Sequence, residues 1–163
     1  MLGDVFLKPH HNPPPQHRFG VFFLVGGIFP NPVDIHFQKV SGLSTEVELQ
    51  KVRSGGENLV EYSLPKKVTH GNLILERGMV IGSILNLQFN AAMSDFQFSS
   101  SNVLITLFSE DPILGEQILP VAGWLCINAY PVKWSVSDLD ANSNGIMIDT
   151  MELAYTRLQI LRT

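Results

Sequence analysis

Only one stretch of this 163-residue chain carries helical periodicity, and that restricts the fold more than any other property of the sequence. From about Ile81 to Phe96 the residues Ile81, Ile84, Leu85, Phe89, Ala92, Met93 and Phe96 recur at three- and four-residue spacing, which predicts a helix lying on a core through that face. The other ordered segments read as strands. Phe19 to Val25 is an apolar aromatic run closed by Gly26-Gly27, and Ile35 to Val40 alternates Ile35 and Phe37 against His36 and Gln38. Ser44 to Arg53 alternates cleanly, with Val47, Leu49 and Lys51 on one face and Glu46, Glu48, Gln50 and Val52 on the other. Asn72 to Glu76, Val103 to Phe108 and Ile118 to Tyr130, the last interrupted at Pro120 and Gly123, continue the series. A long final strand follows Ala141-Asn142-Ser143-Asn144-Gly145 and runs to Ile160. Its apolar parity changes twice along its length, which calls for a bulge or for cover on both faces.

Between these elements, residues 54 to 67 hold Gly55-Gly56 and Pro65 and read as a long loop, although Leu59, Val60, Tyr62 and Leu64 make it more apolar than a solvated loop usually is. Prolines 9, 13, 14 and 15 favour extended, weakly ordered backbone in residues 1–18, predicted as an N-terminal arm before one domain at 19–163. The expected fold is mainly β (α+β), an antiparallel barrel or sandwich with one flanking helix.

Composition narrows the function. Eleven Lys and Arg against 15 Asp and Glu leave a charge of −4, the wrong sign for a nucleic-acid footprint. With 16% charged and 45% hydrophobic residues, the chain is expected to cover apolar surface with other subunits. Cys126 is the only cysteine, so it forms no internal disulfide and suits a reducing compartment. Neither a signal peptide nor a run of roughly 18 apolar residues is evident, and no membrane insertion is expected.

Residues of the types that carry chemistry each have a plainer reading in this sequence. Asp140-x-Asn142-x-Asn144-Gly145 matches the first half of a calcium loop, but Met151 stands where the closing Glu belongs, and an Asx-rich turn is the better reading. His10, His11 and His17 lack acidic or cysteine partners at ligand spacing, and His36 and His70 lack a serine and acid to work with. Gly26-Gly27 and Gly55-Gly56 open no helix and are followed by no Lys-Ser/Thr, so they read as turns. No catalytic residue, cofactor or metal is expected, and the chain reads as a non-enzyme. Trp124, Tyr130 and Trp134 offer one rival from another class, the aromatic platform of a monomeric β-sandwich carbohydrate-binding module, against which core or interface packing is favoured.

An ordered set of motifs points elsewhere. Val40-Ser41-Gly42-Leu43, Glu46-Val47-Glu48, Arg53-Ser54-Gly55-Gly56-Glu57-Asn58 and the run Gly71 to Gly78 come first. The strand Asn102 to Leu107, the run Asn128-Ala129-Tyr130-Pro131-Val132-Lys133-Trp134, the stretch Asp138 to Gly145 and Met151-Glu152-Leu153-Ala154 complete the set. In order and spacing over about residues 19 to 160 they resemble the tail tube protein family of contractile phages and contractile injection systems. The resemblance implies a β-barrel with a flanking helix, hexameric rings stacked into a hollow tube, and partnership with sheath, baseplate and spike proteins. It also implies cytoplasmic assembly, followed by residence in a phage tail or an injection particle. It implies that the loop at 54 to 67 reaches a neighbouring subunit, which makes Leu59, Val60, Tyr62 and Leu64 the expected interface residues. The polar face of the strand at 44 to 53 makes Glu46, Glu48 and Gln50 the expected lumen residues. Departures from the family pattern are a longer arm, the insertion Pro30-Asn31-Pro32, an enlarged connection from Pro112 to Val121, and a helix that starts without tryptophan. These leave a specialised tube initiator or minor tube ring as the alternative to the main tube subunit.

Overall fold

A strand of 19 residues cannot stay within one small twisted sheet, and in this chain it serves two. The computed structural model describes residues 18–24, 36–53, 55–56, 61–80, 83–110, 118–139 and 145–162. Within them the chain runs β1 (Phe19–Leu24), β2 (Lys39–Ser41), β3 (Thr45–Arg53), β4 (Glu61–His70), β5 (Leu73–Gly78), α1 (Ile84–Asp95), β6 (Ser101–Glu110), β7 (Ile118–Val136), β8 (Ile148–Ala154) and β9 (Arg157–Arg162). Seven strands follow the order β1-β6-β7-β8-β5-β2 with β9 also on β7, while β3 and β4 pair only with each other. Every pairing is antiparallel.

The first part of β7 lies between β6 and β9, and its last part, Tyr130 to Val136, pairs with β8. The corner between them is Asn128, at φ 54, whose N–H donates to the Asn102 side-chain oxygen at 3.1 Å. Across the ladder the chain breaks at Tyr155 and Thr156 and resumes as β9, with the Thr156 N–H donating to the Ile127 carbonyl at 3.0 Å. The long strand therefore folds the sheet over on itself. Val21, Phe23, Val103, Ile105 and Cys126 come from one half, Leu73, Leu75, Met151 and Leu153 from the other, and all are buried in one core. The fold is mainly β, antiparallel and sandwich-like, with α1 closing one flank through Leu85, Phe89 and Ala92.

Proline fixes where the ladders slip. It has no N–H to donate, so a strand containing it tolerates it best beside a bulge. Pro65, Pro120 and Pro131 each sit at a register shift, opposite Leu49, opposite Phe108 and just before Lys133. The interruption expected at Pro120 and Gly123 is thus a bulge within a continuous strand, which runs on to Val136.

A polar cluster pins the helix to the sheet. Ser83 caps α1, its hydroxyl accepting from the Asn86 N–H at 3.3 Å. Arg77 on β5, only 1% exposed, donates through Nη2 to Ser83 Oγ and Asn86 Oδ1, each at 2.7 Å, and lies 5.5 Å from the centre of the Phe37 ring. Its ladder partner is Asp149 on β8, fully buried on the same inward face. A buried carboxylate is costly, and neither Asp149 oxygen finds a hydrogen-bond partner among the described residues, although Arg77 stands opposite in the ladder.

Three sequence expectations change here. Residues 61–67 of the expected loop belong to a strand that runs on to His70, because Tyr62, Leu64 and Val68 find partners on β3 across the bulge that Pro65 requires. Met93 and Phe96 do not join the core: they are 43% and 84% exposed, since the helix ends at Asp95 and Phe96 turns the chain out of the helical repeat. The final strand is two, and the second change of parity comes from the break at Tyr155 and Thr156, with Met151, Leu153 and Tyr155 facing inward before it and Leu158 packing on the core after it; at the first change, Ile146 precedes β8 and Ile148 lies on its less buried face.

Gly42 sits at φ 84, where a Cβ would lie 1.8 Å from the Asn72 carbonyl oxygen. Gly42→Ala is expected to destabilise the fold by at least about 2 kcal/mol in urea unfolding, while Gly55→Ala, with open space around it, stays within about 0.5 kcal/mol.

Candidate assembly surface

The β3–β4 hairpin stands apart from the sandwich, and its side chains from Thr45 to Val52 and from Glu61 to Val68 are exposed. Alternation gives it two faces. Val47 and Val68 lie opposite each other on one, followed by Leu49 and Pro65. Past the bulge, the apolar residues change sides: Val52 faces Tyr62 and Gln50 faces Leu64 on the other face. That second face begins near the sandwich with Glu46 and Glu48, where Glu48 receives Lys66 at 3.2 Å and Lys67 at 3.3 Å. Hydrogen bonds from these lysines hold the Glu48 carboxyl below its usual range, so it stays ionised.

The hairpin's root is fixed firmly. Ser44 N–H donates to Gly42 O at 2.8 Å, Gly71 N–H to Ser44 O at 3.3 Å, and the Tyr155 hydroxyl to Ser44 O at 3.4 Å. The His70 ring lies 5.3 Å from that of Tyr155, and its Nδ1 is 3.3 Å from Thr45 Oγ1. Burial raises the Tyr155 hydroxyl above its usual pKa. A ribbon exposed on both faces yet anchored this tightly is suited to contact with another body.

A second exposed surface lies past the end of α1. Phe96 meets Phe98 edge-on at 4.9 Å between ring centres, and Phe98 meets Tyr130 at 6.3 Å. All three are exposed, and between Arg77 and Glu110 the only charged residue is Asp95. Sheet edges supply a third. Among the described residues β1 pairs with β6 alone, β9 with β7 alone and β2 with β5 alone.

The sequence-chosen residues fall as follows. Tyr62 and Leu64 share one face, Leu64 opposite Gln50 and Tyr62 opposite Val52, two rungs apart. Glu46, Glu48 and Gln50 occupy that same face nearer the root. Leu59 and Val60 lie outside the described residues, as do His10, His11, His17, the arm to residue 17 and Asp140 to Asn144. The aromatic platform is not assembled: Trp124 packs against the core, while Trp134 lies beyond the Asn128 corner, on the order of 30 Å along the strand. Sequence reasoning missed Phe96 and Phe98 as surface residues, and the run around them, with no charge but Asp95, was the available signal.

The model of the T4-like virus tail tube protein gp19 matches residues 15–159. The chain belongs to this tail tube family. Among solved structures, this tail tube chain is similar to one in the six-fold symmetrised anti-feeding prophage baseplate, at 42% identity over 93% of this chain and 97% of that one, with a TM-score of 0.81. It resembles a chain of the PVC extracellular contractile injection system's sheath-tube complex in the extended state at 22% identity, over 94% and 95% of the two chains, with a TM-score of 0.73. An Hcp protein shares the fold at 10% identity over 89% and 90%, with a TM-score of 0.54. Comparison with curated proteins gives no match. The chain is a structural tail tube protein of the contractile injection system type.

Because Tyr62 and Leu64 are about half exposed in the single chain, replacing both with Ser should move the tail tube chain's own unfolding by less than about 0.5 kcal/mol. The same double substitution is expected to abolish or strongly weaken assembly in sedimentation velocity. A large loss of chain stability would instead make the hairpin part of the chain's own core.

Proposed function

We propose that this chain builds a closed ring of six subunits at the baseplate end of an injection tube, and that it works as conduit and template without catalysing a reaction. The observation that carries the reading is the β3–β4 hairpin, which has apolar residues on both faces and, among the described residues, pairs with no other strand. Such a ribbon is stable when a neighbouring subunit covers it. The exposed edges of β1 and β9 suit sheets that join between subunits, which supplies their open backbone groups with partners.

The baseplate position is favoured by a contrast in identity. The chain shares 42% of its residues with a baseplate-resident relative and 22% with one in a sheath-tube complex, at similar coverage. A first ring must match the baseplate on one side and the tube on the other. Its partners are therefore further copies, the next tube subunit, and baseplate and spike proteins, with sheath outside. We assign Glu46, Glu48 and Gln50 to the lumen, where Lys66 and Lys67 balance the two glutamates and leave a polar, nearly neutral wall. The twist of a two-stranded ribbon turns this face between root and tip, so Glu46 and Glu48 line a channel and Tyr62 meets a neighbour, with the rung of Gln50 and Leu64 where the one passes into the other. Leu59 and Val60 belong to the same proposed contact. Assembly takes place in the cytoplasm, before the particle is complete.

Gold labelling of an epitope-tagged copy in isolated particles tests the position. Label confined to the baseplate end is expected, and label along the whole shaft would make this the main tube subunit. Particles wholly free of the tag would remove the chain from the tube.

A further inference from the structure

Phe96 bears two costs that its own chain does not offset. Its backbone is left-handed, at φ 54 and ψ 31, a conformation in which a Cβ is strained and glycine is the usual choice after a helix. Its ring is 84% exposed, the highest value among the large apolar side chains described. Strain of this kind persists where something outside the local backbone selects it. Here the αL turn holds the ring against Phe98, at 4.9 Å, and Phe98 in turn meets Tyr130.

We propose that Phe96, Phe98 and Tyr130 form the seat for the β3–β4 hairpin tip of a second copy of this chain, an inference that rests on the ring reading above. Charge selects the occupant. Asp95, beside Phe96, is the only charge between Arg77 and Glu110, so an acidic side chain brought onto this surface loses its water and meets like charge, whereas an uncharged apolar face covers it without that cost. The hairpin tip presents the matching chemistry: Val52 and Tyr62 face each other there, the rung of Gln50 and Leu64 borders them, and none carries a charge. Lys51 and Glu61 occupy the other face and pair with each other at 3.0 Å. Reach selects the copy. The tip lies about 25 Å from the hairpin's root, and within one chain both the tip and the aromatic seat remain exposed, so they do not meet each other. Tyr62 is well suited to an edge-to-face contact with the seat.

Two variants test this in the full-length chain. Phe96→Gly removes the ring and the backbone strain together, so the single chain is expected to melt at the same or a higher temperature while the concentration needed for rings rises at least tenfold. Val52→Cys combined with Gln97→Cys, which keeps Tyr62 and all three rings of the seat, is expected to give a ladder of chain-to-chain disulfides in oxidised rings, with Cys126 fully buried and out of reach. A lower melting temperature for Phe96→Gly, unchanged ring formation by it, or rings without inter-chain disulfides each overturns the proposal. Absence of rings from the unsubstituted protein contradicts the ring reading itself, and this inference falls with it.

Discussion

The fold depends on β7 remaining hydrogen-bonded while it changes sheets. Nineteen residues of one strand contribute to both halves of the sandwich, and the turn at Asn128 makes the passage by placing one residue at positive φ and anchoring its N–H on Asn102. The partner strand follows the same corner through Tyr155 and Thr156. Tyr155 then does a second job, since its hydroxyl reaches Ser44 at the root of the β3–β4 hairpin. The corner that closes the core thus also orients the element that leaves it, linking backbone geometry to the surface offered for assembly.

That surface reflects a surplus of apolar side chains. The chain is 45% hydrophobic, and its core leaves Val47, Leu49, Val52, Tyr62, Leu64 and Val68 on the hairpin and Phe96 and Phe98 beyond α1 in contact with solvent. Single exposed apolar residues are ordinary, but groups of them on an anchored ribbon and at a strained helix end mark places where other chains belong. Polar residues are arranged to match. Lys51 with Glu61, and Lys66 and Lys67 with Glu48, satisfy one another on the hairpin, while Arg77, Ser83, Asn86 and Asp149 are gathered under the helix start. The exposed ion pairs contribute little to stability and chiefly keep charge away from the apolar parts of the ribbon.

Much of this architecture was legible in residue order. The three- and four-residue spacing marked α1, and strict alternation marked β3 and the face that carries Glu46, Glu48 and Gln50. The family was legible in the ordered motifs from Val40 to Ala154. What escaped followed from long-range pairing. Pro65 reads as a strand breaker until β3 is seen to accommodate it with a bulge, so β4 looked like loop. Phe96 continues the apolar spacing of α1 by count, and only the left-handed turn at the helix end takes it out of the core. The facing of Arg77 and Asp149 joins residues 72 positions apart and leaves no local trace in the sequence.

The central claim is that this chain's surplus apolar surface is covered by copies of itself. Cryo-electron microscopy of the purified protein over a concentration series tests it most directly. The expected result is closed six-membered rings in which the β3–β4 hairpin lies against the adjacent subunit, with single chains prevailing only at low concentration. A monodisperse single chain at every concentration, or rings with the hairpin free in solvent, would contradict the account.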